Sequence, residues 1–261
     1  MPFHQPDTVR YYTFDSLDEC SVVHAVFTRQ GGVSPAPWHS LNLGGTVGDD
    51  ALRVSTNRAR AFMAIGRDMA SLFDVWQVHS ADVVVANAPR PPHVPHQRAD
   101  AILTDRSDVT LLMRFADCVP ILLHDPRRRV VGLAHAGWQG TLKRTAAAAV
   151  QAMQAVYGCQ PADILAAIGP SIAAHHYPVG EDVVVQVQAA FGEEASALLS
   201  AHDGAVQFDL WQANRLVLAQ AGVRHIEVAG LCTACHLDDW YSHRAEHGRT
   251  GRFGVAIALR I

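Results

Sequence analysis

Three residues have side chains that could together bind a metal ion: His79, Cys118 and His135. His79 ends the run VWQVH, His135 ends VVGLAH, and Cys118 lies in the break between RFAD and VPILLHDP. Rigid scaffolds usually present reactive groups from loops at strand ends. Two imidazoles and one thiolate suit Zn²⁺, and three protein ligands leave a fourth position for water or substrate. The spacing matches no zinc-finger pattern, so ordinary buried side chains would fit these residues equally well.

A candidate anion site directly follows His135. The segment AGWQGTLKRT leads from the predicted strand into an Ala-rich helix, and it contains Lys143 and Arg144. A helix N-terminus offers unpaired backbone N–H groups, which favour an anion. The spacing of a P-loop is absent, so a phosphate site and a plain strand-to-helix connection both remain possible.

Three other polar loop residues could contact a ligand. Arg29 and Asn42 lie in the Gly-rich turns FTRQGGVS and SLNLGG, and Arg244 lies in a cation-rich loop before the last predicted strand. Solvated loop residues are the common alternative. We predict Arg29, Asn42, Lys143 and Arg244 as substrate-binding residues.

Two further patterns resemble metal or haem sites but are not interpreted as functional. Cys232, Cys235 and His236 match the C-x-x-C-H motif that attaches c-type haem. That attachment requires export, and the N-terminal sequence does not resemble a secretory signal. The pair His175-His176 is interpreted as part of a loop, and no function is predicted for Cys232 or Cys235.

The elements that must position these residues are predicted from hydrophobic periodicity. The predicted strands are Val22–Thr28, Val75–His79, Asp82–Ala86, Ala101–Thr104, Val109–Phe115, Pro120–His124, Arg129–His135, Ile164–Ile168, His225–Ala229 and Phe253–Leu259. The predicted helices are Asp50–Ile65, Thr141–Tyr157, Glu181–Phe191, Glu193–Ala201 and Leu210–Ala221. The central strands follow one another through turns too short for crossover helices, which favours antiparallel or mixed pairing. We therefore predict one α/β domain, residues 1–261, with mixed β-sheets.

The composition excludes several classes of protein. The 261 residues are 49% apolar and 18% charged, with a formal net charge of −4, which is typical of a packed globular protein without a nucleic-acid footprint. No apolar run approaches the roughly 20 residues of a membrane helix. Five irregularly spaced cysteines indicate reduced thiols. We expect a cytoplasmic protein that binds neither nucleic acid nor membrane.

Five blocks of the sequence resemble one known family. They are Gln77-Val78-His79, Ala99-Asp100-Ala101, Ala116-Asp117-Cys118-Val119-Pro120, His135-Ala136-Gly137-Trp138 and Ile168-Gly169-Pro170-Ser171-Ile172. Blocks around Arg29, Asn42, Phe208 and Arg244 add to the match. The chain is similar, from about Val23 onward, to the laccase-domain (multicopper polyphenol oxidase-like) family of purine nucleoside phosphorylases.

The resemblance implies a fold, a metal site and an activity. The fold is a single α/β domain with mixed β-sheets layered between α-helices. The family's metal ligands map onto His79, Cys118 and His135, with zinc as the cofactor and copper possible in vitro. The implied reaction is the phosphorolysis of adenosine, inosine and methylthioadenosine, with adenosine deamination beside it. The implied partners are purine nucleoside and phosphate, and we expect a monomer or a weak homodimer.

One departure from the family pattern affects the phosphate site. The position after His-Ala-Gly-Trp is often Arg in the family and is Gln139 here. If that Arg binds phosphate, Lys143, Arg144 or Arg244 must replace it. We predict Cys118, His135 and Asp117 as catalytic residues, with Asp117 either transferring a proton or supporting the metal.

Three other functions remain open from the residues alone. Cys118 and His135 could form the nucleophile–base pair of a hydrolase or amidase. A copper-dependent polyphenol oxidase is disfavoured because the sequence contains no His-x-His pair. A partner-binding module without enzymatic activity is the third.

Overall fold

A computed structural model describes residues 2–20, 22–202 and 204–260. Its strands are β1 (Phe3–His4), β2 (Tyr11–Tyr12), β3 (Val22–Phe27), β4 (Leu72–Phe73), β5 (Val83–Val85), β6 (Ala101–Thr104), β7 (Thr110–Phe115), β8 (Val119–Asp125), β9 (Val130–Ala136), β10 (Leu165–Ile168), β11 (Pro178–Val179), β12 (Leu199–His202), β13 (Ala205–Phe208), β14 (His225–Val228) and β15 (Phe253–Leu259). Its α-helices are α1 (Asp15–Asp18), α2 (Ala51–Ala64), α3 (Trp138–Leu142), α4 (Thr145–Tyr157), α5 (Glu181–Phe191), α6 (Ala195–Leu198) and α7 (Leu210–Gln220).

The strands form two large sheets and one small one. The first sheet has the order β1-β2-β3-β15-β7-β4, and the second has the order β14-β10-β8-β9-β6-β5. Most neighbours are antiparallel, but β4 with β7, β5 with β6, and β10 with β14 are parallel. The small sheet has the order β11-β13-β12. The predicted mixed pairing is confirmed.

The two large sheets pack face to face and are covered by helices on their outer faces. Along β8, Leu122 points to the core between the sheets, whereas Ile121 and Leu123 point to a core shared with α4, α5 and α7. Along β15, Val255 and Ile257 point inward, and Ala256 between them faces the core shared with α2. Successive side chains of a strand alternate between faces, so these apolar runs are buried on both sides. The result is the predicted fold of mixed sheets layered between helices.

Local signals account for several helix ends. The Asp50 side chain accepts hydrogen bonds from two backbone N–H groups in the first turn of α2, and the Asp209 side chain does the same once for α7. Such N-caps satisfy donors that have no partner within the helix. Gly158 ends α4 in the left-handed region, with φ 68°. Among the helices of the described residues, none combines the length and apolar character needed to cross a membrane.

Three predicted elements are wrong in part. The helix predicted over Thr141–Tyr157 is two helices, since Arg144 between them has a φ of 60°. The segment Val75–His79 has only an isolated bridge at Trp76 and is otherwise irregular. The helix predicted over Glu193–Ala201 ends at Leu198, because the next residues pair with β13 as a strand. In the last case cross-strand pairing overrides the helical preference of an Ala-rich segment.

Candidate metal centre

The structure brings His79, Cys118 and His135 together. One ligand atom from each side chain lies within 4.8 Å of the other two. The Cys118 Sγ is 4.0 Å from the His79 Nε2, and the rings of the two histidines are 4.9 Å apart at their centres. Two imidazole nitrogens and one sulfur therefore face one small volume.

The strand register explains how Cys118 meets His135. In the antiparallel pair of β8 and β9, Pro120 lies opposite His135. Cys118 comes two residues before Pro120, so it lies beside the end of β9. His79 comes from the loop between β4 and β5 and has a φ of 58°, a conformation that side chains other than glycine adopt rarely.

A single carboxylate, that of Asp100, orients both histidines. Its Oδ1 lies 2.8 Å from the His135 Nδ1. Its Oδ2 accepts from the backbone N–H groups of Val78 and Ser80, at 3.0 and 2.7 Å, and from the Ser80 hydroxyl at 3.1 Å. These bonds hold the loop on both sides of His79. The contact with Nδ1 leaves the Nε2 of His135 for a ligand, the arrangement that carboxylates support in metal sites.

The electrostatics of the group favour a thiolate. Burial opposes ionisation of Cys118, but the charge of His135 and hydrogen bonds from His135 and His79 outweigh burial and lower the thiol pKa to about 6. Burial likewise opposes the imidazolium of His135, yet Cys118 and Asp100 raise its pKa to about 9. Burial would raise the Asp100 pKa, but His135 and the backbone donors lower it to about 2. Between the pKa of Cys118, about 6, and that of His135, about 9, the metal-free site holds a thiolate beside an imidazolium.

The donor set fits a zinc ion. Zn²⁺ accepts thiolate and neutral imidazole ligands in tetrahedral sites, and a catalytic site keeps one position free of protein ligands. At Gly137 an added Cβ would lie 2.8 Å from the Cys118 Sγ and 3.3 Å from the His79 Cδ2. The absence of a side chain at Gly137 therefore preserves the space beside the ligands.

An apolar cavity of about 250 Å³ opens on one side of the group. Its walls combine aromatic and aliphatic side chains with two polar ones. They are Trp138, Ile172, Tyr177 and Leu210, with Asp117 and Gln139, and His79 and Cys118 form part of the lining. A flat apolar ring fits such a wall composition.

A basic cavity of about 600 Å³ opens on another side. Its lining includes three arginines and two histidines beyond the ligand group, namely Arg58, Arg114, Arg252, His96 and His243. His79 and Cys118 line this cavity as well as the apolar one. The candidate metal ligands therefore lie where an apolar space meets a basic one.

Positive charge is crowded around the basic cavity. The carboxylate of Asp74 lies 2.6 Å from the Arg114 guanidinium, 2.7 Å from that of Arg90 and 3.1 Å from the His96 ring. Burial and the charges of Arg114 and Arg90 lower the pKa of Arg58 to about 10, with Asp74 opposing them. One carboxylate thus faces several cations, and an anion in the cavity would relieve their repulsion.

Asp117 is held firmly at the edge of the apolar cavity. It has a φ of 79°, and its carboxylate accepts from the Thr233 hydroxyl and from the Arg244 backbone N–H, each at 2.6 Å. The Arg244 guanidinium lies 5.0 Å from the centre of the Tyr177 ring and donates to the carbonyl of Pro178. The structure therefore places Asp117 in the lining of the apolar cavity, whereas Arg244 lines neither cavity and contacts the lining residues Asp117 and Tyr177.

The two cations after Gly140 have different positions. The Lys143 Nζ donates to the carbonyl of His79 at 2.6 Å, so Lys143 supports the loop that carries His79. Arg144 donates to the Gln220 side chain at 2.6 Å and does not line either cavity.

Arg29 and Asn42 are engaged by the protein itself. Arg29 forms an ion pair with Glu246 at 3.1 Å and lines a third, surface cavity of about 800 Å³. The Asn42 Oδ1 accepts from the backbone N–H groups of Gly44 and Arg252, both of which line the basic cavity. The structure thus separates Arg29 from the ligand group and gives Asn42 a contact that shapes the basic cavity.

Sequence reasoning missed several residues of the site. Arg58 lies on α2 and has no local signal that separates it from a surface cation. Arg114 is the one charged residue in the strand TLLMRF, and a cation in such an apolar run is a signal that could have indicated a buried ion pair. Asp100 lies in one of the blocks that resemble the family, and Arg252 lies in the cation-rich loop before the last strand, whereas Tyr177 has no local signal. No spacing connects any of the three to the candidate ligands.

The chain resembles proteins of known name over most of its length. Residues 23–260 match the family described as multi-copper polyphenol oxidoreductase laccase. A protein of Deinococcus radiodurans named purine nucleoside phosphorylase is 40% identical over 92% of this chain and 90% of its own length. The purine nucleoside phosphorylase YlmD of Bacillus subtilis is 36% identical over 92% of this chain and 89% of its own. The crystal structure of YlmD from Geobacillus stearothermophilus superposes with a TM-score of 0.92 and 33% identity, covering 100% of this chain and 99% of that one.

Substituting Asp100→Asn tests whether this carboxylate orients the ligands. The variant keeps the size of the side chain and removes its charge, and loss of such a supporting group typically lowers metal affinity about 10- to 100-fold. We expect that loss in competition with a chromophoric zinc chelator. The control Asp82→Asn alters an exposed carboxylate in the loop that carries His79 and should bind like the wild type. Equal affinities of all three proteins would contradict the role of Asp100.

The charge of Cys118 can be measured in metal-free protein. We expect thiolate absorbance to appear as the pH rises through about 6, recorded as the ultraviolet difference between the wild type and Cys118→Ala. In His135→Ala the imidazolium is lost, so the same absorbance should appear only at higher pH. A wild-type transition near the ordinary thiol value of about 8.5 would show that the pair does not ionise as described.

Proposed function

Because the chain belongs to the multi-copper polyphenol oxidoreductase laccase family, we propose that it is a purine nucleoside phosphorylase, as its named relatives are. Adenosine, inosine and methylthioadenosine are its proposed substrates, with adenosine deamination as a side activity. Zinc, bound by His79, Cys118 and His135, is the proposed metal. One observation carries the proposal: an apolar and a basic cavity share His79 and Cys118 as lining residues.

The apolar cavity suits the nucleoside. A purine is a flat ring with polar edges, and the cavity offers Trp138 and Tyr177 as aromatic walls with Ile172 and Leu210 as aliphatic ones. Asp117 and Gln139 supply polar groups at its edge. Ligand sites of this kind combine an apolar lining with a few polar groups that fix orientation.

The basic cavity suits the phosphate. Arg58, Arg114 and Arg252 line it. Burial, together with the charges of Arg114 and Arg90, lowers the Arg58 pKa, and a dianion in the cavity would stabilise the charged guanidinium. Arginine binds phosphate with charge-assisted hydrogen bonds. These three residues are therefore proposed to replace the Arg that the family often has where this chain has Gln139. Lys143 and Arg244 are proposed to contribute through the His79 loop and the Tyr177 ring that they contact.

In phosphorolysis a phosphate oxygen bonds to C1′ of the ribose while the bond from C1′ to the base nitrogen breaks. The products are a free base and ribose 1-phosphate, or methylthioribose 1-phosphate when the substrate is methylthioadenosine. The arginines would hold the phosphate against C1′, which converts an encounter of two molecules into a reaction within one complex. When bound, the metal supplies a Lewis acid that stabilises negative charge developing on a nearby oxygen. Asp117, which Thr233 and Arg244 hold against the apolar cavity, is the proposed group for proton transfer to the base.

A second function has one observation in its favour. In the metal-free site the pKa of Cys118 is lowered to about 6 beside His135, as in a nucleophile–base pair of a hydrolase. A thiolate bound to a metal is not free to attack a substrate. Stoichiometric zinc in the purified protein would therefore favour the phosphorylase, and trapping of Cys118 by an electrophilic substrate analogue would favour the hydrolase.

The test of the proposed reaction is an assay of zinc-loaded protein with each nucleoside, with and without phosphate. We expect phosphate-dependent release of the free base together with ribose 1-phosphate, and loss of that release in Cys118→Ala. Inosine formed from adenosine in the absence of phosphate would report the deaminase side activity. A zinc-loaded protein that forms neither free base nor ribose 1-phosphate would overturn the proposal.

Substituting Arg252→Gln tests the placement of phosphate in the basic cavity. A charge-assisted hydrogen bond is worth about 1.5–3 kcal/mol, so we expect the KM for phosphate to rise about tenfold or more while the KM for the nucleoside changes little. Arg249→Gln, on the same loop but exposed, is the matched control. A rise in the nucleoside KM alone would place the phosphate elsewhere.

A further inference from the structure

A second group of metal-binding side chains lies outside the site already described. It consists of His175, His176, Cys232 and Cys235, and one ligand atom from each lies within 4.8 Å of the other three. We propose that these four residues bind a second zinc ion, which has a structural role. This proposal does not depend on the proposed function, since it concerns residues that take no part in the reaction.

The distances support one shared ligand volume. The Cys235 Sγ lies 3.1 Å from the His175 Nε2 and 3.5 Å from the His176 Nδ1. The Cys232 Sγ lies 3.6 Å from the same His176 Nδ1. Each sulfur therefore has an imidazole nitrogen as a close neighbour. Two cysteines and two histidines are a ligand set of tetrahedral structural zinc sites, which leave no position for water or substrate.

Backbone hydrogen bonds hold the cysteine loop in place. The N–H of Ala173 donates to the Cys232 Sγ at 3.4 Å. The turn from Cys232 closes with a hydrogen bond from the His236 N–H to the Cys232 carbonyl at 3.2 Å. This turn presents both cysteines to the short helical turn that carries His175 and His176.

Neither the C-x-x-C-H motif nor the His175-His176 pair predicts this arrangement by itself. Cys235 lies 60 residues after His175 in the chain, and each half resembles something else when taken alone. His236, which completes the C-x-x-C-H motif, is not a member of the four-residue group. In the described structure the two cysteines contact the side chains of His175 and His176.

The proposed ion would connect a loop that lines the apolar cavity to a loop that contacts one of its lining residues, Asp117. Tyr177, a wall of that cavity, directly follows His176. Thr233, whose hydroxyl donates to Asp117 at 2.6 Å, directly follows Cys232. Metal bound between the loops would therefore fix the positions of Tyr177 and Asp117, and its binding energy would add to the folding stability.

Metal counting tests the proposal. The wild type, dialysed against metal-free buffer after zinc loading, should hold two zinc ions per chain, and Cys235→Ser should hold one. Cys235 is exposed, and so a serine there leaves the core unchanged. Cys20→Ser is the matched control, because a serine can keep the hydrogen bond of Cys20 to the carbonyl of Ser16. We expect Cys20→Ser to hold two.

A second measurement isolates the proposed site. In the Cys118→Ala background one Co²⁺ per chain should bind with a thiolate-to-cobalt charge-transfer band, and one equivalent of Zn²⁺ should raise Tm by about 5 °C or more. Both effects should disappear when Cys235→Ser is added.

Three results would overturn the proposal. The first is two zinc ions retained in Cys235→Ser, and the second is a folded Cys118→Ala protein that binds no metal. The third is a Cys232–Cys235 disulfide in protein purified under reducing conditions, seen as the loss of two hydrogen masses. None of these measurements depends on nucleoside turnover, so failure here and failure of the proposed reaction are distinguishable.

Discussion

The site depends on the hydrogen bonds and the opposite charge that compensate the buried carboxylate of Asp100. Asp100 is fully buried, and a buried charge is costly unless hydrogen bonds and opposite charge compensate it. Its partners come from β9 through His135 and from the loop of Val78 and Ser80. The carbonyl of Asp100 also accepts from the His135 N–H at 2.8 Å. The charge is therefore compensated only when the strands and the loop have assembled. The same contacts orient the side chains of His79 and His135.

The charges on the other side of the site are not balanced in the same way. Arg58 and Arg114 both line the basic cavity, and the charge of Arg114 acts on Arg58 although Asp74 pairs with Arg114. Like charges held close together destabilise the folded state until a ligand of opposite charge binds. The site thus combines the compensated carboxylate of Asp100, which fixes the geometry, with the crowded arginines of the basic cavity, which favour binding of an anion.

The two groups of candidate metal-binding residues differ in the features that separate a reactive site from a structural one. His79, Cys118 and His135 supply three ligand atoms, and Gly137 keeps the neighbouring space free of a side chain. The proposed second site supplies four ligand atoms near the surface and carries Tyr177 and Thr233 on its flanks. His79 and Cys118 line the apolar cavity, and Tyr177, which follows His176 in the chain, lines it too, so its shape depends on residues that are distant in the chain.

The sequence by itself determined what local chemistry and periodicity can determine. It predicted most strands within one or two residues, the mixed sheets, and His79, Cys118 and His135 as candidate ligands. Only the tertiary structure decided that the predicted helix over Thr141–Tyr157 breaks at Arg144, where the Thr145 hydroxyl bonds to the carbonyls of Gly140 and Ser80. Only the tertiary structure brought Arg58 from a helix to Arg114 in a strand, and His175 to Cys235. The reason is physical: periodicity reports which face of an element is buried, whereas the register and packing that bring distant residues together depend on all the elements at once.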